Sequence, residues 1–385
     1  MLKVLFFTPT SALTGSEIVL YNIVNNINPV RINPLAWISK LDGELTEELG
    51  DNIKSVTVGK QLKSIPFFLF LLLSLCLSKK SLSALKKNVF KAFLAYVDKS
   101  YNADIWYINT ILQQDVLEYA YLNQIPCVVH AHELEQMLVN LTDQEIEILV
   151  NYPKLIISCS KTSAKMLATL GKIENIETCF PSINIEKISQ TQFNPILLRE
   201  KLNIAESTFI WCMSGSIDSN KNPIKFIEIA NQLLKQNYDC HFLWLGNNPN
   251  SGLSIFSQKY SESLGIDNKI TWTGILRNND YYEYLNLANG FVLTSSRESF
   301  SIVSLEALFL KKPVVSFNCG GIREIVNDKL GCIVDSWNTN DMVEAMIKVM
   351  NDNSWFDPDL ARKTAEFYAI ENQVKEWEKI MLSYF

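Results

Sequence analysis

Short apolar runs alternate with longer helical patterns along nearly all of the 385 residues, and this alternation limits the possible folds more than any other feature. Runs at 2–8, 35–39, 104–109, 126–131 and 155–160, then at 208–214, 240–245, 269–272, 290–294 and 313–317, have strand length and strand composition. Between them, 16–27, 223–237, 280–288, 302–311 and 340–351 read as helices. Strands joined through helices form parallel sheets covered by helices on both faces. The pattern lapses near 181–207, where Pro181, Pro195 and polar residues intervene, and a fresh strand follows at Thr208-Phe209-Ile210-Trp211-Cys212-Met213. The expectation is an α/β chain of two doubly wound domains facing a cleft, with ligands at the carboxyl ends of the strands. Domains are expected at 1–190 and 191–365. The helical tail, 366–385, carries Trp377 and Phe385 as apolar anchors and is expected to pack back on the first.

Charge and cysteine usage narrow the function classes. The net charge of −6 argues against a general nucleic-acid binder, although a local pocket can oppose it. Eight scattered Cys without a C-x-x-C pair read as free thiols of a reducing compartment, so a cytoplasmic location is expected. Met1 to Phe7 reads as a first strand rather than a signal peptide. Ile65 to Leu77 is nearly all apolar and includes Phe67, Phe68 and Phe70. It precedes Lys79, Lys80, Lys86, Lys87 and Lys91. The stretch is too short to span a membrane. Two readings stand: a buried helix with a solvated basic face, or a peripheral surface that docks on anionic lipid.

Glycine and histidine are scarce, so each is informative. The 14 Gly are about half of average usage, and two of the three His lie in His130-Ala131-His132. From Gly290, a strand ends in Ser295-Ser296-Arg297. Glu298-Ser299-Phe300-Ser301-Ile302 then opens an apolar helix that contains Glu306. A further strand, Pro313 to Phe317, ends in Cys319-Gly320-Gly321. Glu298 lies at a strand end, and the first amides of the following helix lack partners and suit a phosphate. A carboxylate such as Glu306, one turn along, can accept two hydrogen bonds from a diol such as ribose. Gly320-Gly321 allows close backbone approach.

These residues resemble the family 4 retaining glycosyltransferases of the GT-B fold, whose E-x7-E motif is met by Glu298 and Glu306. The resemblance implies two Rossmann-like domains and a metal-independent hexosyltransferase. In such enzymes the first Glu holds the donor sugar and the second the ribose, while amides from Ser299 to Ile302 hold the diphosphate. Upstream, Met213-Ser214-Gly215 is followed by Lys221, which fits the family's diphosphate-binding lysine. The slot after Gly215, usually Arg, holds Ser216, and Arg277 is a candidate near the base. Gly15 and Glu17 retain part of a Gly-Gly-Ala-Glu loop near the donor. His132, at the end of an apolar strand, matches a histidine beside the donor sugar.

The resemblance implies a nucleotide diphosphate-sugar donor, UDP-sugar favoured, and a glycan or glycolipid acceptor bound by the first domain. With Phe67, Phe68 and the lysines 79, 80, 86 and 87, a lipid-linked or membrane-proximal acceptor in surface polysaccharide synthesis is the expectation. No cofactor and no metal are expected. His130-x-His132-Glu133 is also compatible with a metal cluster. Two alternatives remain open. One is a weak or inactive GT-B partner subunit, suggested by Ser216 and by Ser301 and Lys311 in usual Gly slots. The other is a nucleotide-sugar epimerase.

Overall fold

A computed structural model describes residues 1–49, 53–58, 79–171, 173–352 and 354–385; the side chains of 79–84 and of 278 are outside that description. Ile65–Leu77, with Phe67 and Phe68, therefore lies outside the described residues, as do the side chains of Lys79 and Lys80. The described chain forms two compact units, Met1–Pro181 with Ile370–Phe385, and Ser182–Ala369.

The first unit holds seven strands: β1 (Leu2–Thr10), β2 (Ile32–Leu41), β3 (Lys54–Thr57), β4 (Ile105–Ile108), β5 (Cys127–Ala131), β6 (Leu155–Ser158) and β7 (Ile176–Thr178). They are ordered β3-β2-β1-β4-β5-β6-β7, and every pairing is parallel. The order runs outward on both sides of β1, so the connections wind in two directions, and the carboxyl ends of β1 and β4 flank the switch point. Phe7, Trp106 and Val129 are fully buried in one core cluster of this sheet. On the other side Phe6, Tyr107 and Trp377 pack ring against ring, with Trp377 5.6 Å from Tyr107.

The second unit holds β8 (Phe209–Ser214), β9 (Cys240–Leu245), β10 (Ile270–Trp272), β11 (Gly290–Leu293), β12 (Val314–Phe317) and β13 (Gly331–Val334). Their order is β10-β9-β8-β11-β12-β13, again all parallel. Here the switch lies between β8 and β11, the strands that lead into the Gly215 and Glu298 loops.

Three strands escape the sequence pattern: β3, β7 and β13. Each lies at the outer end of a sheet and has at most four residues. The C-terminal region is two helices, Pro358–Phe367 in the second unit and Ile370–Tyr384 in the first. The break coincides with a backbone bridge between Ile183 and Ala369, with Ile183 N donating to Tyr368 O at 2.9 Å. No Gly or Pro marks it in the sequence.

Candidate active site

The second unit gathers three of its candidate residues by short local rules. Gly215 follows β8 with φ +147°, a conformation that favours glycine, and a Cβ there would stand 3.0 Å from Lys221 Cε. The next residues form a turn in which Asp218 accepts from Lys221 N at 2.9 Å. Lys221 Nζ then reaches Glu298 Oε1 at 2.5 Å, with both side chains largely shielded. Burial works against the ammonium, but the charge and hydrogen bond of Glu298, with Asp218 behind them, raise its pKa above the ordinary value. Asn220 clamps the two loops together. Its carboxamide oxygen accepts from Ser296 Oγ and Arg297 N, and its amide donates to Arg297 O.

Glu298 is fixed from its other side by the Gly320 loop. Glu298 N donates to Cys319 O at 2.6 Å, and Gly321 N donates to Glu298 O at 2.8 Å. A Cβ on Gly321 would fall 2.1 Å from the Ser299 carbonyl oxygen. The close approach that this glycine permits in the fold is to the chain's own Ser299. Phe300 and Ser301 are buried, and Ser301 is the N-cap of the helix Ile302–Phe309. Its hydroxyl pairs with Ser304 Oγ at 2.8 Å and caps no amide. The amides at Ile302 and beyond therefore keep their donor character for an anion.

Glu306 is a buried carboxylate in the same helix. Tyr281 donates to Oε2 at 2.8 Å and Tyr282 to Oε1 at 3.1 Å. Burial pushes its pKa up to about 7, against the pull of the two tyrosines. The sequence reading missed both tyrosines: it placed a helix over 280–288, but only the packing of Asn278–Leu287 on Ile302–Phe309 brings them to Glu306. Arg277 is the exposed N-cap of that helix. Ser216, in the slot expected for Arg, is exposed and donates to Asp218 at 2.7 Å.

In the first unit, His132 follows β5. Its Nε2 lies 2.9 Å from Asn109 Oδ1, while Asn109 Nδ2 donates to Ser16 O at 3.0 Å. The second bond fixes the amide orientation, so His132 Nε2 carries the proton and Nδ1 presents a lone pair. Burial pushes the His132 pKa down to about 3. His130 stays inside β5, fully buried, with Nδ1 2.7 Å from the Tyr107 hydroxyl, which accepts from Trp377 Nε1 at 3.0 Å. Glu133 accepts from His132 N at 2.9 Å and from Thr110. The metal-cluster reading of these residues finds no support, because among the described residues no group of three His, Cys, Asp or Glu could hold an ion. Gly15 opens the first helix, Gly15–Asn26, and is exposed. Of the lysines in the lipid-docking reading, Lys86 is exposed and Lys87 pairs with Glu118 at 3.0 Å.

Residues 196–367 match the family model described as "Glycosyl transferases group 1". This part of the chain is similar to group 1 glycosyltransferases. Among curated relatives, an alpha-D-kanosaminyltransferase of Streptomyces kanamyceticus is 25% identical over 47% of this chain and 45% of its own length, so the match spans under half of that relative. A UDP-Gal:alpha-D-GlcNAc-diphosphoundecaprenol alpha-1,3-galactosyltransferase of Escherichia coli is 24% identical over 82% of this chain and 79% of its own. Among solved structures, the Anabaena protein HepE in complex with UDP-glucose superposes with a TM-score of 0.78 over 100% of both chains, at 17% identity. The fold of the chain is GT-B. No described helix is long and apolar enough to cross a membrane.

Proposed function

We propose that the chain is a retaining glycosyltransferase that moves a hexosyl group from a UDP-sugar to an acceptor hydroxyl. The observation that carries this reading is the Lys221–Glu298 pair at the carboxyl edge of the second sheet, beside an uncapped helix start and a carboxylate suited to a diol. In this reading Lys221 and the amides from Ser299 to Ile302 hold the diphosphate, Glu298 the sugar and Glu306 the ribose. Gly215 keeps the Lys221 turn compact, Gly15 belongs to the donor loop, and Arg277 lies toward the base. His132 Nδ1 offers an acceptor to a substrate hydroxyl.

The acceptor oxygen forms a bond to the anomeric carbon while the bond from that carbon to the phosphate oxygen breaks. The electron pair leaves with the nucleoside diphosphate, and the acceptor proton passes to the departing phosphate oxygen on the same face. No strong protein base is then required. The residues contribute positioning and charge stabilisation, and Lys221 supplies the cation in place of a metal.

A lipid-linked or membrane-proximal acceptor is the second part of the proposal. It is supported by the diphosphoundecaprenol substrate in the name of the E. coli relative and by the basic helix Lys79–Tyr101. Incubation with a panel of nucleotide sugars tests the reaction: a UDP-sugar should release free UDP. Neither release nor thermal stabilisation by any donor would overturn it in favour of a non-catalytic partner. Donor conversion without an acceptor would point to an epimerase. For the acceptor, co-sedimentation with anionic vesicles should be lost in Lys86→Ala/Lys87→Ala; retention overturns that part.

A further inference from the structure

The buried Glu306 carboxylate is hydrogen-bonded by two phenols and, among the described residues, by no cation. Tyr281 and Tyr282 are neighbours on one helix, with ring centroids 5.0 Å apart at 70°. The Tyr281 hydroxyl also lies 3.0 Å from Ser214 Oγ, the residue before Gly215. A phenol has one proton. Since Tyr281 gives its own to Glu306, Ser214 must donate to the Tyr281 oxygen. The result is a directed chain, Ser214 to Tyr281 to Glu306, closed from the other side by Tyr282. Each carboxylate oxygen accepts one phenol and retains one lone pair.

We propose that Tyr281 and Tyr282 are positioning residues for the nucleoside end of the donor: they lock the Glu306 carboxylate so that one lone pair of each oxygen faces a vicinal diol. This rests on the donor reading given above. Neither tyrosine needs to touch the nucleotide, because both act through Glu306. A carboxylate held by two donors loses little rotamer freedom when the ribose arrives. The same two donors favour its ionised form, the form that can accept from both hydroxyls. The groups that act on Glu306 are these tyrosines and the charge of Lys187 from Ile185–Gln190. From Pro358–Phe367, which packs along the same helix, Arg362 sits over the Phe309 ring instead.

Tyr281→Phe and Tyr282→Phe keep the rings and remove only the hydroxyls. Binding of UDP-glucose, whose phosphoryl groups do not titrate in the range, is measured by calorimetry from pH 6 to 9, with unliganded melting alongside. Wild-type affinity should fall as the pH drops through about 7, where Glu306 takes up a proton. Each variant should bind about tenfold more weakly at pH 8.5. Its midpoint should move upward, since each phenol lowers the Glu306 pKa. Lys312, pushed down to about 8, titrates in the same window but is shared by all three proteins. Wild-type affinity and midpoint in both variants overturn the inference, and so does weaker binding with an unmoved midpoint, which marks a merely structural role. No binding of any nucleotide sugar by the wild type overturns the donor reading itself.

Discussion

Both sheets are parallel and switch winding direction near their centres, yet their carboxyl edges carry different polar groups. At the first, the carboxylates are consumed locally. Glu17 accepts from Thr8 at 3.0 Å, from Ser16 at 2.7 Å and from Thr14, and Glu133 from His132 N and Thr110. The imidazole there is held neutral. At the second edge, Glu298 faces a cation, and Glu306 keeps acceptor capacity on both oxygens. One fold can thus offer an edge whose carboxylate faces a shielded cation and one whose carboxylates meet hydroxyls and an amide. An anionic leaving group needs the former, and a substrate recognised by its hydroxyls is served by the latter.

The largest test of this contrast is Lys221→Ala. It removes the cation and strands Glu298, and should lower kcat/KM for the nucleotide sugar at least about 100-fold. Turnover within threefold of wild type would show that the charged edge does not carry the reaction. Next is Glu306→Gln. A carboxyl whose pKa is raised in the folded state binds more protons than in the unfolded chain, so its presence costs stability as pH rises toward about 7. The variant should gain on the order of 3 kcal/mol at pH 8 and nothing near pH 4.5, while losing nucleotide affinity. Urea melts at both pH values measure the gain, and an equal gain at both rules out the buried charge as its source. His132→Ala should reduce turnover about tenfold with a pH profile of unchanged shape, because the ring is already neutral throughout the working range. Loss of an acidic limb would contradict the neutral imidazole. The smallest effect concerns the frame of the second unit. Lys311 adopts φ +59° just past the helix Ile302–Phe309, and Lys311→Gly should stabilise by up to about 1 kcal/mol in denaturant melts. The ion pair of Lys311 with Asp359 is exposed, and its loss should subtract little.

What the sequence revealed depended on whether a feature was local. The apolar central strands and the helix bearing Glu306 follow from apolar patterning, so Glu298 in a loop after β11 and Glu306 inside a helix were readable in advance. Lys311 is instructive in the same way. Its slot reads as a glycine position, and the backbone there is left-handed, so the departure has a physical cost. What escaped is tertiary. Tyr281 and Tyr282 look like ordinary helix residues until their helix is laid against another. Ser216 reads as a missing cation, but that its hydroxyl pairs with Asp218 follows only from the turn. The Gly321 contact with Ser299 required two loops to meet. The break at Tyr368 and Ala369 is set by pairing with Ile183, far away in sequence.

The return of the helix Ile370–Tyr384 to the first unit bears on the order of assembly. Trp377 contacts Phe6 and Tyr107, and Glu378 accepts from Asn28 N at 2.5 Å. The second unit is one uninterrupted stretch, inserted into a first unit split in two. During synthesis every residue of the second unit leaves the ribosome before the helix that completes the first. The nascent chain therefore has its later unit ready to fold while its earlier one still lacks a wall, with the Phe6 and Tyr107 face open to water. A chaperone holding this chain would find its target there, in the half that was made first.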